Sequence, residues 1–177
     1  MPQRPNPYDF MPKLPELTLE SDDVTHGEVM GNAHVFNGFG LSGENLSPHL
    51  QWSGFPAETR SFVVSCYDPD APTASGFWHL MLVDVPASVT ELPRGAASGD
   101  LSGLPPGSFC VRNDFGSKDY GGAAPPEGHP PHRYHFAVHA LDTDSLGIDS
   151  DASPAFACFN VQFRALARGL LIATFGH

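Results

Sequence analysis

Charge is scarce in this sequence, and positive charge most of all. Only 16% of the 177 residues are Asp, Glu, Lys or Arg, well below the fraction of about a quarter found in ordinary globular domains. Nine residues are Lys or Arg, they form no cluster along the sequence, and the formal net charge is −11. Because nucleic acids and anionic membrane surfaces attract basic patches, we expect neither as a partner.

Cysteines and long apolar runs are also few. The three cysteines, Cys66, Cys110 and Cys158, are far apart and form no CxxC pair. This usage argues against a disulfide framework and favours free thiols in a reducing compartment. No apolar run approaches the roughly 20 residues that span a bilayer, and the N-terminus lacks the apolar segment of a secretory signal. We therefore expect a cytoplasmic protein without integral membrane association.

Glycine and proline, in contrast, are abundant, with 18 of each. This content is typical of a chain with many turns and long ordered loops. Hydrophobic residues make up 41% of the sequence and include 13 Phe, enough for a core. The length suits one domain. We predict a proline-rich, extended N-terminal arm over residues 1–13 and a single domain over residues 14–177.

The apolar runs predict a mostly β domain. Short β-branched and aromatic runs, bounded by turn residues, are typical of buried strands. A further short strand is predicted near His34–Asn37. Long loops are predicted over residues 86–107 and 116–133. The strand candidates are "LPELTLES" (14–21), "HLQWSG" (49–54), "SFVVSCY" (61–67), "HLMLVDV" (79–85), "SFCVRND" (108–114) and "YHFAVHALD" (134–142).

The pattern changes after residue 152. The run "SPAFACFNVQFRALARGLLIATF" (153–175) has apolar residues at helical spacing. Ser153 is suited to cap a helix whose first residue is Pro154, and Gly169 is a point at which the helix could break. The sequence therefore predicts C-terminal helices after a mostly β domain.

Two carboxylates occupy a turn in "YDPDAPTASGFWH" (67–79). Asp68 follows a predicted strand, and Pro69 and Pro72 stiffen the chain on either side of Asp70. A rigid turn lowers the entropic cost of holding a polar group in a binding position. The alternative is that both carboxylates only bind local amides, with His79 as a histidine of the core.

A second polar group lies in "PPHRYHF" (130–136). In an extended chain His132 and Tyr134 project to one side and His135 to the other, together with His139. A His and a Tyr at the end of a buried strand can offer hydrogen bonds to a ligand oxygen. The alternative is that His132 caps the strand and Arg133 makes a surface ion pair.

Catalytic and metal chemistry have weaker support. Asp68, His79 and His132 could imitate a triad of two histidines and one carboxylate, but no spacing requires it. The serines do not match a Gly-x-Ser-x-Gly elbow, and the glycine-rich loops do not match a phosphate-binding loop. We expect no catalytic residue, no metal and no cofactor. A hydrolase that uses Asp68, His79 and His132 remains the alternative.

Five motifs in order resemble the phosphatidylethanolamine-binding protein family, also called Raf-kinase-inhibitor-like proteins, and its bacterial branch above all. The resemblance covers most of residues 14–175. It implies a central β-sheet packed on a smaller sheet, with helices at one end. The motifs are "SPHLQW" (47–52), "YDPDAP" (67–72), "GFWH" (76–79), "DYGGAAPPEG" (119–128) and "HRY" (132–134).

The resemblance also implies a pocket for small anions such as phosphate, acetate or a phosphorylated head group. We expect Asp68 to orient a histidine and favour its imidazolium, so that His79 and His132 donate to the anion with Tyr134. A homodimer is implied too, and modulation of a kinase or other signalling partner is known for animal relatives. By motif, the ligand-binding residues are Asp68, Asp70, Pro72, His79, Ala123, Ala124, Pro125, His132 and Tyr134.

Overall fold

Two antiparallel sheets organise residues 4–177, the part of the chain that the computed structural model describes. The five-stranded sheet has the order β6 (Phe109–Cys110), β4 (Phe77–Pro86), β3 (Ser61–Asp68), β7 (His132–Leu141), β8 (Ala165–Phe175). The smaller sheet has the order β1 (Thr18–Glu20), β2 (Leu50–Ser53), β5 (Glu91–Leu92). This confirms the predicted fold class.

The main core lies between the two sheets. Alternate residues of β3 point toward the smaller sheet, and fully buried Phe62 meets Trp52 edge-on, with ring centroids 5.3 Å apart. Burying a side chain of this size stabilises the fold by about 2–3 kcal/mol. The opposite face of the large sheet carries Val63 and Met81, which cluster with Val161 of the helix α1 (Pro154–Val161).

The C-terminal segment is helical only at its start. As predicted, α1 begins after Ser153, whose hydroxyl oxygen accepts the backbone N–H of Phe156 at 3.2 Å. The prediction of helix beyond α1 is wrong, because residues 165–175 form β8. This strand pairs with β7 along its whole length. Its apolar run suits either structure, and the open edge of β7 decides the outcome.

Three smaller predictions also need correction. Residues Asn32–His34 form a 3₁₀ turn rather than a strand, and Val35 makes a single bridge to Ala123. Within "SFCVRND" only Phe109–Cys110 is extended in the sheet. The loop predicted over residues 86–107 contains β5.

The N-terminal arm lies against the large sheet. Its residues 1–3 fall outside the described part of the chain, and Pro7–Phe10 form a 3₁₀ helix, so the prediction of an extended arm is wrong there. The side chain of Asn6 caps this turn by accepting the N–H of Tyr8 at 3.1 Å. Tyr8 is buried on the face of the sheet that α1 also covers. Across residues 4–177, no helix has the length and apolarity needed to cross a membrane.

Candidate ligand-binding site

A cavity of about 170 Å³ opens where β3 ends and β4 and β7 begin. The loops that follow β3 and precede β7 close its sides. Four of the motifs singled out in the sequence contribute lining residues, and Phe39 and Phe115 come from loops distant in the chain. It is lined by Phe39, Asp68, Ala71, Pro72, Thr73, Phe77, His79, Phe115, Ala124, Pro126 and His132.

Asp68 and His132 form a buried pair at the base of the cavity. One carboxylate oxygen of Asp68 accepts the backbone N–H groups of Asp70 and Ala71, at 2.7 and 3.1 Å. The other is 2.7 Å from Nδ1 of His132, and both residues are 2% exposed. The carboxylate accepts, so Nδ1 carries a hydrogen. The Nε2 atom of the neutral ring then holds a lone pair and donates only when the ring is an imidazolium.

A β-bulge brings His79 to the same cavity. The β3–β4 register shifts between Cys66 and Tyr67, which leaves His79 as the extra residue on β4. Simple alternation would turn this ring away, and bulges often redirect a side chain in this way. The ring instead lies edge-on to Tyr134, with centroids 5.1 Å apart.

The tautomer of His79 limits what it can do. Its Nδ1 donates to the carbonyl oxygen of Gly121 at 2.7 Å, so Nε2 of the neutral ring carries no hydrogen. Burial lowers the pKa of His79, and the Gly121 carbonyl opposes this only in part. Like His132, His79 can therefore donate to an anion only as an imidazolium, and its burial disfavours that form.

Asp70 does not line the cavity. Its two carboxylate oxygens each accept from the Arg133 guanidinium at 2.7 Å, and one also accepts the backbone N–H of Arg133. Burial tends to raise the pKa of Asp70, but the bonds from Arg133 leave it below its ordinary value. Asp70 thus ties the turn after β3 to the start of β7, which holds Asp68 and His132 in register.

Of the remaining predicted residues, some line the cavity and others lie behind it or beside it. Pro72 and Ala124 line the cavity. Ala123 lies behind the wall, where its N–H donates to the His34 carbonyl. Pro125 lines an adjoining groove of about 540 Å³. Ala123 thus ties the loop to the 34–36 segment, and the residues that follow it face the ligand space.

Tyr134 lies beneath the cavity rather than on its wall. Its hydroxyl is buried and has no hydrogen-bond partner among the described residues. Burial raises the pKa of Tyr134, so the hydroxyl keeps its proton. It is an available donor beside His79.

An aromatic wall is the feature that sequence reasoning missed. Phe115 lies edge-on to Phe77, with centroids 4.7 Å apart, and stacks on Phe36 at 4.5 Å. Phe39 is 81% exposed and extends this cluster at the rim. Only Phe77 lay in a motif we singled out. Phe39, between two glycines, was an available signal.

His129 was also missed. It is half-buried on the loop before β7, and its Nδ1 is 3.3 Å from Nε2 of His132. Its position three residues before His132 in "GHPPH" was the available signal.

The cavity has no permanent positive charge, since none of the described residues that line it is Lys or Arg. Most basic side chains are paired elsewhere with carboxylates: Arg60 with Asp144, Arg94 with Asp23, Arg112 and Lys118 with Asp151, Arg133 with Asp70, and Arg164 with Asp142. Positive charge at the site must therefore come from histidine. Within residues 4–177, no group of three or more His, Cys, Asp or Glu is placed to hold a metal ion.

Comparison with known proteins gives concordant results. The family model described as phosphatidylethanolamine-binding protein matches residues 20–176. The Escherichia coli (strain K12) UPF0098 protein YbhB is 50% identical over 159 residues, which cover 90% of this chain and 99% of the relative. UPF0098 protein YbcL of the same strain is 44% identical, over 89% of this chain and 86% of its own.

Solved structures agree with this assignment. The crystal structure of Escherichia coli YbcL, described as a new member of the mammalian PEBP family, superposes with a TM-score of 0.89 at 43% identity. The match covers 92% of this chain and 99% of that chain. A phosphatidylethanolamine-binding protein from Plasmodium vivax shares the fold, with a TM-score of 0.61 at 14% identity over 93% of this chain and 87% of its own.

Proposed function

The chain belongs to the phosphatidylethanolamine-binding protein family, and on this basis we propose that it binds a small oxyanion at His132. Phosphate, acetate and a phosphorylated head group share the required chemistry. The observation that carries the proposal is the contact of 2.7 Å between the buried Asp68 carboxylate and Nδ1 of His132. A carboxylate in this position favours the imidazolium over the neutral ring.

The imidazolium supplies what an oxyanion needs. Its Nε2–H can donate a charge-assisted hydrogen bond, which is about twice as strong as a neutral one. The neutral ring offers only a lone pair, which repels an anion oxygen. Binding is therefore coupled to proton uptake, and affinity falls as rising pH removes that proton.

The aromatic wall suits the uncharged part of such a ligand. The cavity of about 170 Å³ is smaller than the roughly 300–1,000 Å³ of pockets for drug-sized molecules, so it suits a head group. Phe39, Ala124 and Pro126 also line the adjoining groove of about 540 Å³. An apolar substituent on the anion can extend over Phe39 into that groove.

We propose binding rather than catalysis. No hydroxyl or thiol of the described residues hydrogen-bonds to His132 or His79, so neither histidine is paired with a side-chain nucleophile. The nearby Thr73 hydroxyl donates to the Gly76 carbonyl instead. We do not extend the proposal to a kinase partner, because a shared fold does not transfer a partner.

A homodimer and a cytoplasmic location remain part of the proposal. Phe156, Phe159 and Phe163 are 51–69% exposed near one another, and exposed apolar patches mark interaction surfaces. Sedimentation equilibrium tests the dimer, and a single species of monomer mass at micromolar concentration would contradict it. The three cysteines are free and at least partly buried, which suits a reducing compartment.

The test of the binding site is His132→Ala. Losing one charge-assisted hydrogen bond costs about 1.5–3 kcal/mol, so the affinity for O-phosphorylethanolamine should fall about ten- to hundredfold. Isothermal titration calorimetry at pH 6 measures it. His26→Ala, at an exposed ring that does not line the cavity, is the control. Equal affinities in folded wild type, His132→Ala and control would contradict the proposed function.

A further inference from the structure

Asp68, His132 and His129 form a hydrogen-bonded chain. The ring centroids of His129 and His132 are 5.5 Å apart, and Nδ1 of His129 lies 3.3 Å from Nε2 of His132. Asp68 fixes the hydrogen of the neutral His132 ring on Nδ1, so Nε2 accepts and His129 donates to it. His129 therefore bonds to the same atom that an anion would use.

An anion on His132 cannot be far from His129. A charge-assisted bond to Nε2 is about 2.8 Å long, and His129 Nδ1 is 3.3 Å from that atom. The anion oxygen then lies within about 6 Å of His129 Nδ1, because the third side of a triangle cannot exceed the sum of the others. When both rings are protonated, their N–H groups lack an acceptor between them, and an oxyanion can supply one.

The charged side chains around the cavity, other than His129, form pairs of opposite charge. Asp68 neutralises the His132 imidazolium, and Asp70 neutralises Arg133 on the other side of the turn. Burial lowers the pKa of His79 and so favours its neutral ring.

Two further charged groups lie near the cavity and offset each other: the Arg4 guanidinium, which donates to the Thr73 carbonyl, and the Asp114 carboxylate, which accepts the N–H of Trp78. Burial raises the pKa of Tyr134, which stays neutral. Glu127, on the same loop as His129, is exposed and negative. His177 faces the adjoining groove, where its ring meets the Pro125 carbonyl at 2.9 Å. An anion on His132 thus meets a site with no net positive charge unless His129 is protonated.

We propose, building on the anion-binding function above, that His129 is a second ligand-binding residue whose imidazolium makes the site select doubly charged oxyanions over singly charged ones. A phosphate monoester dianion then binds as a bridge between His129 and His132, with uptake of protons by both rings. A carboxylate such as acetate gains less affinity from a protonated His129, because its single charge interacts half as strongly with the added cation.

The test compares sulfate with methanesulfonate, which differ in charge but not in the type of oxygen offered. Neither titrates over about pH 5 to 8, so every proton taken up belongs to the protein. His129→Asn keeps an amide N–H near the place of Nδ1 but cannot be protonated. Calorimetry at pH 6 in buffers of different ionisation enthalpy gives affinity and proton uptake together, with His26→Asn as the control.

We expect His129→Asn to lower the sulfate-to-methanesulfonate affinity ratio about tenfold, from one charge pair at about 6 Å in a partly exposed site. Sulfate binding should take up about one proton fewer. His129→Lys supplies a cation that does not titrate over about pH 5 to 8. It should restore the sulfate-to-methanesulfonate affinity ratio but not the proton uptake.

Wild-type values of both quantities in His129→Asn would overturn the inference and leave the proposed function standing. Wild-type protein that binds neither anion would overturn both.

Discussion

The two faces of strand β7 hold histidines in opposite ways. On the cavity face, His132 has a buried carboxylate at 2.7 Å. On the other face, His135 and His139 are at most 3% exposed, and neither ring nitrogen of either residue has a hydrogen-bond partner in the described part of the chain. Tyr8 of the N-terminal arm covers both, with centroids 6.1 and 6.2 Å away. Strand β7 thus carries one histidine with a carboxylate partner and two histidines without a hydrogen-bond partner among the described residues.

The two faces differ in whether a carboxylate is present to offset the cost of burying an imidazolium. Burial lowers the pKa of His139 to about 3, and the nearby Arg168 guanidinium adds to this. Burial likewise lowers the pKa of His135 to about 4, with Arg133 contributing. These two rings stay neutral, and neither has a carboxylate partner such as the one that Asp68 provides for His132.

The largest expected effect is on acid stability. His135 and His139 bind protons in the unfolded chain below about pH 6.5 but in the folded chain only near pH 4 and 3. The stability that their neutral rings contribute is therefore complete above pH 6.5 and is lost as pH falls toward the folded values. At pH 4.5 each ring costs the folded state about 2.5 kcal/mol.

The variant His135→Leu/His139→Leu should therefore lose about 5 kcal/mol less than wild type between pH 7 and pH 4.5. Urea denaturation at the two pH values measures the difference, and His26→Leu is the exposed control. A pH dependence equal to that of wild type would show that these rings are already protonated or hydrated in the folded chain.

The next largest effect concerns the arm that covers these rings. Tyr8 is buried, and the Arg168 guanidinium lies 4.9 Å from its ring centroid. Tyr8→Ala should lower the free energy of unfolding by about 3 kcal/mol, as for other buried aromatic truncations. Because the cavity is on the other face, the affinity for O-phosphorylethanolamine should not change in the folded variant.

Tyr8→Phe, which keeps the ring, should lose less than about 1.5 kcal/mol. A folded Tyr8→Ala protein with weakened ligand binding would show that the two faces of β7 are coupled. The histidines on the two faces could then not be compared as independent groups.

The alternation of residues predicted the faces of β7 because a strand has period two. His132, Tyr134 and Phe136 do share one face, and His135 and His139 share the other. The same local reasoning failed for residues 165–175. Their apolar run suits a helix or a strand, and only pairing with β7, a contact distant in sequence, decides between them.

Local sequence also predicted only part of the candidate site. Asp68 was predictable, because prolines frame a turn in which a carboxylate accepts its own backbone amides. The orientation of His79 was not, because it depends on a register shift between two strands. Phe39 and Phe115 join the wall through loop closure, which sequence spacing does not encode. The motif places Asp70 in the site, and its pairing with Arg133 was not predictable because Arg133 comes from another strand.

The most direct test of the central claim is the effect of Asp68→Asn on anion binding. Simple electrostatics predicts tighter binding, because the substitution removes a negative charge beside the anion. Our account predicts binding of O-phosphorylethanolamine at least about tenfold weaker at pH 6, because the imidazolium loses the carboxylate that favours it. Asp144→Asn removes the same charge from an exposed carboxylate paired with Arg60, outside the site, and should not change binding. Calorimetric titration of the folded variants decides the matter, and unchanged or tighter binding in Asp68→Asn would contradict the account.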